Sequence, residues 1–193
     1  MKDILELVVV LTAICIVAGI SLAKVYDITK EPIAEQRRIA RMKAVNAVLP
    51  AHDNDPDQNK IQIPWEKEKG KEETILIYKS LQNGQINGVS FEMANMGFGG
   101  ELKVMMGLTT DGTIQAIEIT KMAETPGLGA KILEPKFKQQ FQGKSLQNCR
   151  FKLKKDGGDL DQVTGATISP RAVVDAIGKG LNFYKQNKNK IMQ

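Results

Sequence analysis

The pattern of apolar and polar residues changes several times along the 193-residue chain, and the first change lies near the N-terminus. The stretch Leu7–Ala23 contains no charged residue. Ile4 and Leu5 extend this apolar run to about 20 residues, the length that spans a bilayer. We therefore expect one transmembrane helix within residues 1–25, inserted in a lipid bilayer.

A cleaved signal peptide is the alternative interpretation of this run, with the small residues 21–23 as its cleavage site. Lys2 is offset by Asp3 and Glu6, whereas signal peptides carry net positive charge before their apolar core. The run is also longer than a normal signal core. Length and flanking charge therefore favour a retained anchor.

Residues 26–72 show first a helical and then an irregular pattern. Pro32 can open a helix that runs to about Val48 and carries a thin apolar stripe. Three prolines then interrupt a polar stretch that continues through Glu73, namely Pro50, Pro56 and Pro64. We predict a juxtamembrane helix followed by a linker or surface loop, in which Trp65 is the only large apolar anchor.

Residues 73–185 carry the pattern of a folded domain. Two pairs of strand-like runs are separated by Asn83-Gly84 and by Asp111-Gly112, which are hairpin signals. A short helix opened by Pro135 follows, and then a basic strand, Cys149–Lys154. The predicted fold class is α+β, an antiparallel sheet with packed helices, preceded by one N-terminal transmembrane helix.

The last helix is indicated by apolar residues at helical spacing, which are Val173, Ile177, Leu181 and Tyr184. Ser169 has the character of an N-cap residue and Pro170 that of the first helical residue. The pattern therefore predicts a helix that starts just after Thr167 and leaves residues 186–193 as a C-terminal tail.

Composition excludes several functions. The net charge of +5 is spread along the chain and only 5% of residues are aromatic, which is not the pattern of a nucleic-acid-binding protein.

Cys149 is the only cysteine outside the apolar segment, so no internal disulfide can form there. Its place in a strand pattern predicts a buried, unreactive thiol. His52 lies in a polar loop without ligand spacing, and we predict no metal site.

The segment Asp161–Thr167, with the sequence DQVTGAT, carries the most specific chemical signal. The small residues Gly165 and Ala166 leave room for a nucleotide, and the start of the following helix favours a phosphate, with Arg171 adding a charge. A threonine hydroxyl is a weak nucleophile, and the segment contains neither a metal nor a base. Any modification of Thr167 therefore needs a separate enzyme. A plain turn that caps the helix is the alternative interpretation.

Two glycine-rich loops accompany this motif, GFGG at 97–100 and ETPGLG at 124–129. Together the three segments resemble the FMN-binding domain family, as found in the G subunits of Rnf complexes and in the related C subunits of sodium-translocating NADH:quinone reductases. The resemblance covers about Gly84 to Tyr184, and the anchor and short chain fit the Rnf members better. It implies FMN as a covalent cofactor, joined through a phosphoester to Thr167 by a flavin transferase.

The resemblance also implies roles for individual residues. Recognition by the flavin transferase is expected at Asp161, Thr164, Gly165, Ala166 and Ser169. Contacts with FMN are expected from Gly99, Gly100, Thr125, Gly127, Leu128, Gly129 and Arg171. Glycine suits such loops because backbone must approach a flat ring. Lys131 is a further candidate, although a lysine is normally solvated. Four methionines are expected to line the ring or, more simply, to fill the core: Met93, Met96, Met105 and Met106.

The function that the resemblance implies is electron transport. The chain would be one subunit of a membrane complex that couples electron transfer between ferredoxin and NAD to the translocation of Na⁺ or H⁺. It shows no dinucleotide fingerprint and no cysteine set for an iron–sulfur cluster, so other subunits must be its partners and we do not expect it to be catalytic alone. Two alternatives stay open. One is a stand-alone, anchored extracytoplasmic flavin reductase or electron shuttle, and the other is a module without redox activity that only binds partners.

Charges around the span bear on the orientation of the domain. Six basic residues follow the span, namely Lys24, Lys30, Arg37, Arg38, Arg41 and Lys43. By the positive-inside rule these residues would keep the domain in the cytoplasm, but long translocated domains override that bias. The resemblance implies the extracytoplasmic face of a bacterial or archaeal inner or plasma membrane, and this is our expectation.

Overall fold

The computed structural model describes residues 1–67, 71–125 and 127–193, which fall into two compact units, Met1–Arg41 and Met42–Gln193. Helix α1 spans Lys2–Val48. Among the described residues it is the one helix long and apolar enough to cross a membrane. This helix agrees with the predicted span.

Helix α1 continues through Pro32, so the prediction that a helix opens at this proline is wrong. Pro32 lacks the N–H that would bond the carbonyl of Ile28. Because Ile28 is exposed, solvent can satisfy that carbonyl without breaking the helix. The end of α1 at Val48 agrees with the predicted end.

Five strands form one antiparallel sheet in the second unit, in the order β1-β2-β3-β4-β5. Their bounds are Lys60–Lys67 for β1, Lys71–Gln82 for β2, Gln85–Met96 for β3, Glu101–Thr109 for β4 and Ile114–Lys121 for β5. Each strand pairs with its neighbours in the sequence, which makes the sheet a meander. The predicted α+β class, with its N-terminal apolar helix, is confirmed.

Both predicted hairpins are present. Asn83 and Gly84 have φ angles of 53° and 75°, as a two-residue type I′ turn requires, and they join β2 to β3. In the turn between β4 and β5, the hydroxyls of Thr109 and Thr113 donate to the Asp111 carboxylate. These hydrogen bonds hold the pKa of Asp111 below its usual range. Local turn chemistry therefore sets both connections.

Strand β1 lies where we predicted a linker or surface loop, and that prediction is wrong for Lys60–Lys67. Pro64 breaks the strand pattern in the sequence, but β1 is an edge strand, where a residue without an N–H is tolerated. Ile63 on this strand is 5% exposed, and Trp65 is partly buried against the main core. The alternation of Ile61, Ile63 and Trp65 was the signal for the strand.

The second unit also contains the helices α2 at Pro135–Gln139 and α3 at Ile168–Ile191. Helix α3 packs on β3 and β4, where the Phe91 and Phe183 rings meet edge to face with centroids 5.5 Å apart. The opposite face of the sheet holds a smaller cluster that includes Val45, Val48, Tyr78 and Met105.

The predicted strand Cys149–Lys154 is absent from the structure, which has only an isolated bridge between Leu153 and Leu160 there. The Arg150 N–H donates to the Asp159 carboxylate at 2.7 Å, so this segment bonds to its own loop rather than to the sheet. The predicted burial of Cys149 is confirmed, since its side chain is 8% exposed and burial raises the pKa of its thiol.

The predicted C-terminal tail forms the last turns of α3 instead. The helix continues to Ile191, whose side chain is fully buried in the main core. A polar run of lysines and asparagines conceals this anchor in the sequence, because among the described residues of the run only Ile191 is buried, with Met192 partly buried against the core.

Candidate functional site

Three loops meet at the N-terminus of α3 and enclose a cleft of about 320 Å³. We call it the α3 cleft. It is lined by Phe98, Glu124, Thr125, Leu128, Gly129, Gly165, Ala166, Thr167, Ile168 and Ser169. Its volume falls at the lower end of the range of small-molecule sites, about 300–1,000 Å³.

The TGAT segment forms a tight turn followed directly by the helix. The Ala166 N–H donates to the Val163 carbonyl at 3.3 Å, and Gly165 has a φ of 84° at the third position of the turn. A residue with a Cβ is strained in that conformation, which explains the glycine. Thr164 and Gly165 are exposed at the tip of the turn, where another protein can reach them.

Thr167 is the N-cap residue of α3, which begins at Ile168. The prediction that Ser169 caps the helix and Pro170 opens it is therefore wrong by two residues. Pro170 lies in the first turn, where its missing N–H costs nothing. The Thr167 side chain is half-buried and makes no capping hydrogen bond, so within the described residues its hydroxyl is not committed to the helix.

Ser169 faces into the protein and is 2% exposed. Its hydroxyl donates to Oε2 of Glu124 at 2.7 Å, while Oε1 of the same carboxylate accepts the Phe98 N–H at 3.0 Å. Glu124 was not among the predicted site residues. The signal that could have revealed it is a single acidic residue directly before a glycine-rich loop.

Contacts within the protein explain three glycines of the two glycine-rich loops, two of which, Gly99 and Gly129, are predicted FMN contacts. A Cβ on Gly99 would overlap with the Ala123 carbonyl oxygen, and a Cβ on Gly97 would overlap with Oε1 of Glu124. At Gly129 a Cβ would lie 2.6 Å from Oε2 of Glu124. These positions require glycine even before any ligand is considered.

The ETPGLG loop supplies one wall of the α3 cleft. Thr125, Leu128 and Gly129, which are among the predicted FMN contacts, line it, whereas Gly99, Gly100 and Gly127 are not among the lining residues. Pro126 lies outside the described residues. The rim is apolar, because Phe98, Leu128 and Ile168 are 70%, 47% and 48% exposed. Phe98 and Ile168 were not predicted to take part.

Arg171 does not line the cleft. Its guanidinium makes two hydrogen bonds to the Asp156 carboxylate, at 2.8 and 2.9 Å. This pairing holds the pKa of Asp156 below its usual range and raises that of Arg171. Asp161, at the start of the motif, is largely exposed and forms an ion pair with Lys154 at 2.7 Å.

The remaining candidates are not among the residues that line the cleft. Three of the methionines, Met93, Met105 and Met106, are buried in the core, and Met96 is exposed. Lys131 belongs to the short 3-10 helix Gly129–Leu133 and is not a lining residue. Met93, Met105 and Met106 are therefore core filler, the simpler of the two expectations, whereas Met96 lies at the exposed end of β3.

Known proteins resemble this chain in sequence and in fold. Residues 97–182 match the family model described as FMN-binding domain. The G subunit of the ion-translocating oxidoreductase complex of Cereibacter sphaeroides is 35% identical over an alignment of 184 positions, which covers 92% of this chain and 82% of that protein. The corresponding protein of Aliivibrio fischeri is 34% identical over an alignment of 194 positions, which covers 96% of this chain and 91% of that protein.

Two solved structures are similar in fold. The C subunit of the Na⁺-translocating NADH-quinone reductase from Parabacteroides distasonis has a TM-score of 0.50 at 25% identity, over 60% of this chain and 63% of that chain. NqrC from Shewanella oneidensis has a TM-score of 0.54 at 20% identity, over 72% of this chain and 74% of that chain.

Proposed function

The chain belongs to the family of G subunits of ion-translocating oxidoreductase complexes, and on this basis we propose that it carries electrons within such a complex through FMN esterified to Thr167. The remaining parts of the proposal concern the residues that hold FMN, the origin of the ester and the partners of the protein.

The α3 cleft fits the two chemical parts of FMN. Its apolar rim of Phe98, Leu128 and Ile168 suits a flat ring system, and the positive end of the α3 dipole suits a phosphate. Thr125, Leu128 and Gly129 would hold the ring, and the TGAT turn the phosphate. When bound, FMN supplies a centre that accepts and releases electrons one at a time.

One observation carries the assignment of Thr167 as the attachment point. Its hydroxyl occupies the N-cap position of α3 and lines the cleft, yet it makes no hydrogen bond to the helix. An N-cap side chain normally accepts a bond from the first turn. Here the hydroxyl is left for another bond, and a phosphoester at this point would lie at the favourable end of the helix dipole.

Attachment requires a second protein. The Thr167 hydroxyl would attack the pyrophosphate of a flavin dinucleotide, so that the P–O–P bond breaks and a nucleoside monophosphate leaves. This step needs a base to take the Thr167 proton and a metal to neutralise phosphate charge. Glu124 is the one carboxylate among the described residues that line the cleft. It is buried and already accepts two hydrogen bonds. A flavin transferase would supply both groups, and it would recognise the exposed residues Asp161, Thr164 and Gly165.

The complex would supply the rest of the reaction. We propose that it couples electron transfer between ferredoxin and NAD to Na⁺ or H⁺ translocation, with the FMN domain on the extracytoplasmic face. The chain has two cysteines, one of them in its apolar helix, and it offers no ligand set for an iron–sulfur cluster. Its task would be to hold one flavin between the carriers of its partner subunits.

The proposal is tested by replacing Thr167 in the full-length chain, produced together with a flavin transferase. Thr167→Ala should lose all covalent FMN, measured as the FMN mass on the intact protein and as fluorescence on a denaturing gel. Stability should fall by less than the ~1 kcal/mol typical of a lost cap, because no capping bond exists to lose. Thr167→Ser keeps a hydroxyl and should retain partial labelling.

Thr110→Ala in the β4–β5 turn is the matched control, since it removes a threonine far along the chain from the motif and should keep full labelling. A Thr167→Ala chain that still carried FMN through a denaturing gel would place the attachment on another residue and end the proposal.

A further inference from the structure

Glu124 connects the three loops of the α3 cleft. It ends the segment that follows β5 and directly precedes the Thr125–Gly129 loop, and it is only 9% exposed. Through its two oxygens it accepts the Phe98 N–H and the Ser169 hydroxyl. The buried Glu124 carboxylate therefore accepts one hydrogen bond from the first glycine-rich loop and one from the first turn of α3. In the chain, Glu124 directly precedes the Thr125–Gly129 loop.

The two glycine-rich loops are shaped around this carboxylate. Side-chain space at Gly97 is occupied by Oε1, and at Gly129 a Cβ would lie 2.6 Å from Oε2 and 2.8 Å from the Ser169 hydroxyl. Any larger residue at either position would displace Glu124. If the Glu124 carboxylate pointed into solvent, side chains at positions 97 and 129 would not clash with it.

We infer that Glu124 is a positioning residue that closes the α3 cleft, acting through a latch composed of Glu124, the Phe98 N–H and the Ser169 hydroxyl. Its effect on FMN rests on the proposed function. Thr167 lies two residues before Ser169, at the start of the same helix. Holding Ser169 against Glu124 fixes the helix start and thereby fixes Thr167 against the wall formed by Leu128 and Gly129.

The latch also changes the role of Ser169. Its side chain is 2% exposed, so a flavin transferase cannot read it in the folded chain. Ser169 therefore acts inside the fold, through Glu124, and not by contact with the modifying enzyme. The exposed residues Asp161, Thr164 and Gly165 remain available for that contact.

Two substitutions of Glu124 distinguish the hydrogen bonds of the latch from the volume that the side chain fills. Glu124→Gln keeps the shape and both hydrogen bonds, because its amide oxygen can accept the Phe98 N–H while its NH₂ donates to the Ser169 hydroxyl, which both donates and accepts. Glu124→Ala removes both bonds. Glu134→Ala is the matched control, since Glu134 is an exposed glutamate whose side chain makes no capping bond.

The experiment is amide hydrogen exchange on the full chain in detergent, produced without a flavin transferase. In Glu124→Ala, exchange at the Phe98 amide and across residues 164–169 should become about tenfold faster or more, since a bond to a buried charged group is lost at each end. Glu124→Gln and Glu134→Ala should match the unsubstituted chain. Equal exchange in Glu124→Ala and the unsubstituted chain would overturn the latch.

Ser169→Ala covers the case in which Glu124→Ala does not fold. It removes one of the two bonds, so exchange should accelerate across 164–169 and less at the Phe98 amide. Unchanged exchange across 164–169 in this variant would also overturn the latch.

A second readout links the latch to the cofactor. When a flavin transferase is supplied, Glu124→Ala should lose the visible circular dichroism that a fixed flavin shows, and Glu124→Gln should restore it. If the unsubstituted chain acquires no FMN, the proposed function fails while exchange still decides about the latch. If all variants carry FMN with one spectrum and one exchange rate, the latch fails and the proposed function stands.

Discussion

At the scale of single residues, the clearest effect of the fold on a titratable group is the raised pKa of Tyr184. The side chain is 3% exposed, and its hydroxyl donates to the Thr110 carbonyl at 2.9 Å. Burial, and then the nearby charge of Asp111, raise the pKa of Tyr184 to about 12. An unfolded tyrosine titrates near 10. The folded state therefore holds this proton more tightly than the unfolded state does.

Replacing Tyr184 with Phe should change how stability depends on pH. Because the folded pKa is raised, the contribution of Tyr184 is complete below pH 10 and is lost as the pH rises from about 10 to about 12. Tyr184→Phe should be less stable by about 1 kcal/mol at pH 8, since one hydrogen bond is gone. The deficit should shrink above pH 10. Urea unfolding at pH 8, 10 and 11 measures this, and a constant deficit would contradict it.

At the scale of elements, close packing of α3 on the sheet depends on Gly180. A Cβ at this position would overlap with Sδ of Met106 and lie 3.0 Å from Cγ of Met93 and 3.2 Å from Cε2 of Phe91. Gly178, two residues earlier on the same helix, has room, because a Cβ there would lie 3.6 Å from Cβ of Phe151. The two glycines differ in packing and share a backbone conformation.

Alanine at these two positions should have opposite effects. Alanine favours a helix over glycine by about 1 kcal/mol, so Gly178→Ala should raise stability by up to that amount. Gly180→Ala should lower it, because overpacking typically costs about 1–3 kcal/mol and exceeds the gain. Denaturant unfolding of both variants provides the measurement. Equal stabilisation of both would show that the helix can shift freely on the sheet.

At the scale of the whole molecule, the side of the membrane on which the domain lies can be measured with a thiol reagent. Gln142 is exposed, whereas the native Cys149 is buried and its thiol pKa is raised. With the domain outside, Gln142→Cys should react with a membrane-impermeant maleimide in cells whose plasma membrane is intact. The unsubstituted chain, with only Cys15 and Cys149, gives the background.

Labelling of Gln142→Cys only after lysis would mean that the six basic residues behind the span had decided the orientation, as the positive-inside rule predicts for short segments. That result would contradict the extracytoplasmic part of the proposal. It would leave the attachment at Thr167 untouched, because the two experiments share no readout.

Much of the fold followed from local patterns. The turns at Asn83-Gly84 and Asp111-Gly112 specify hairpins because few residues tolerate their backbone angles. The apolar run of α1 specifies a possible span by its length alone. By contrast, β1 could not be predicted, because Pro64 is acceptable only on an edge strand and the sequence does not show which strand lies at an edge. The segment Cys149–Lys154 has a strand pattern, but in the part of the chain that the structure describes it has no neighbouring strand to pair with.

For the site, the sequence by itself determined the motif. A small-residue turn, a threonine and the start of a helix follow one another in the chain, so the motif can be recognised without the fold. Only the tertiary structure decided what surrounds them. Glu124 and Ser169 are 45 residues apart, too far to belong to one local motif, and their hydrogen bond exists only after folding has brought the segment behind β5 against α3. The same holds for Gly97 and Gly129. A glycine in the sequence can indicate that there is no room for a side chain, but only the structure shows which atom fills that space.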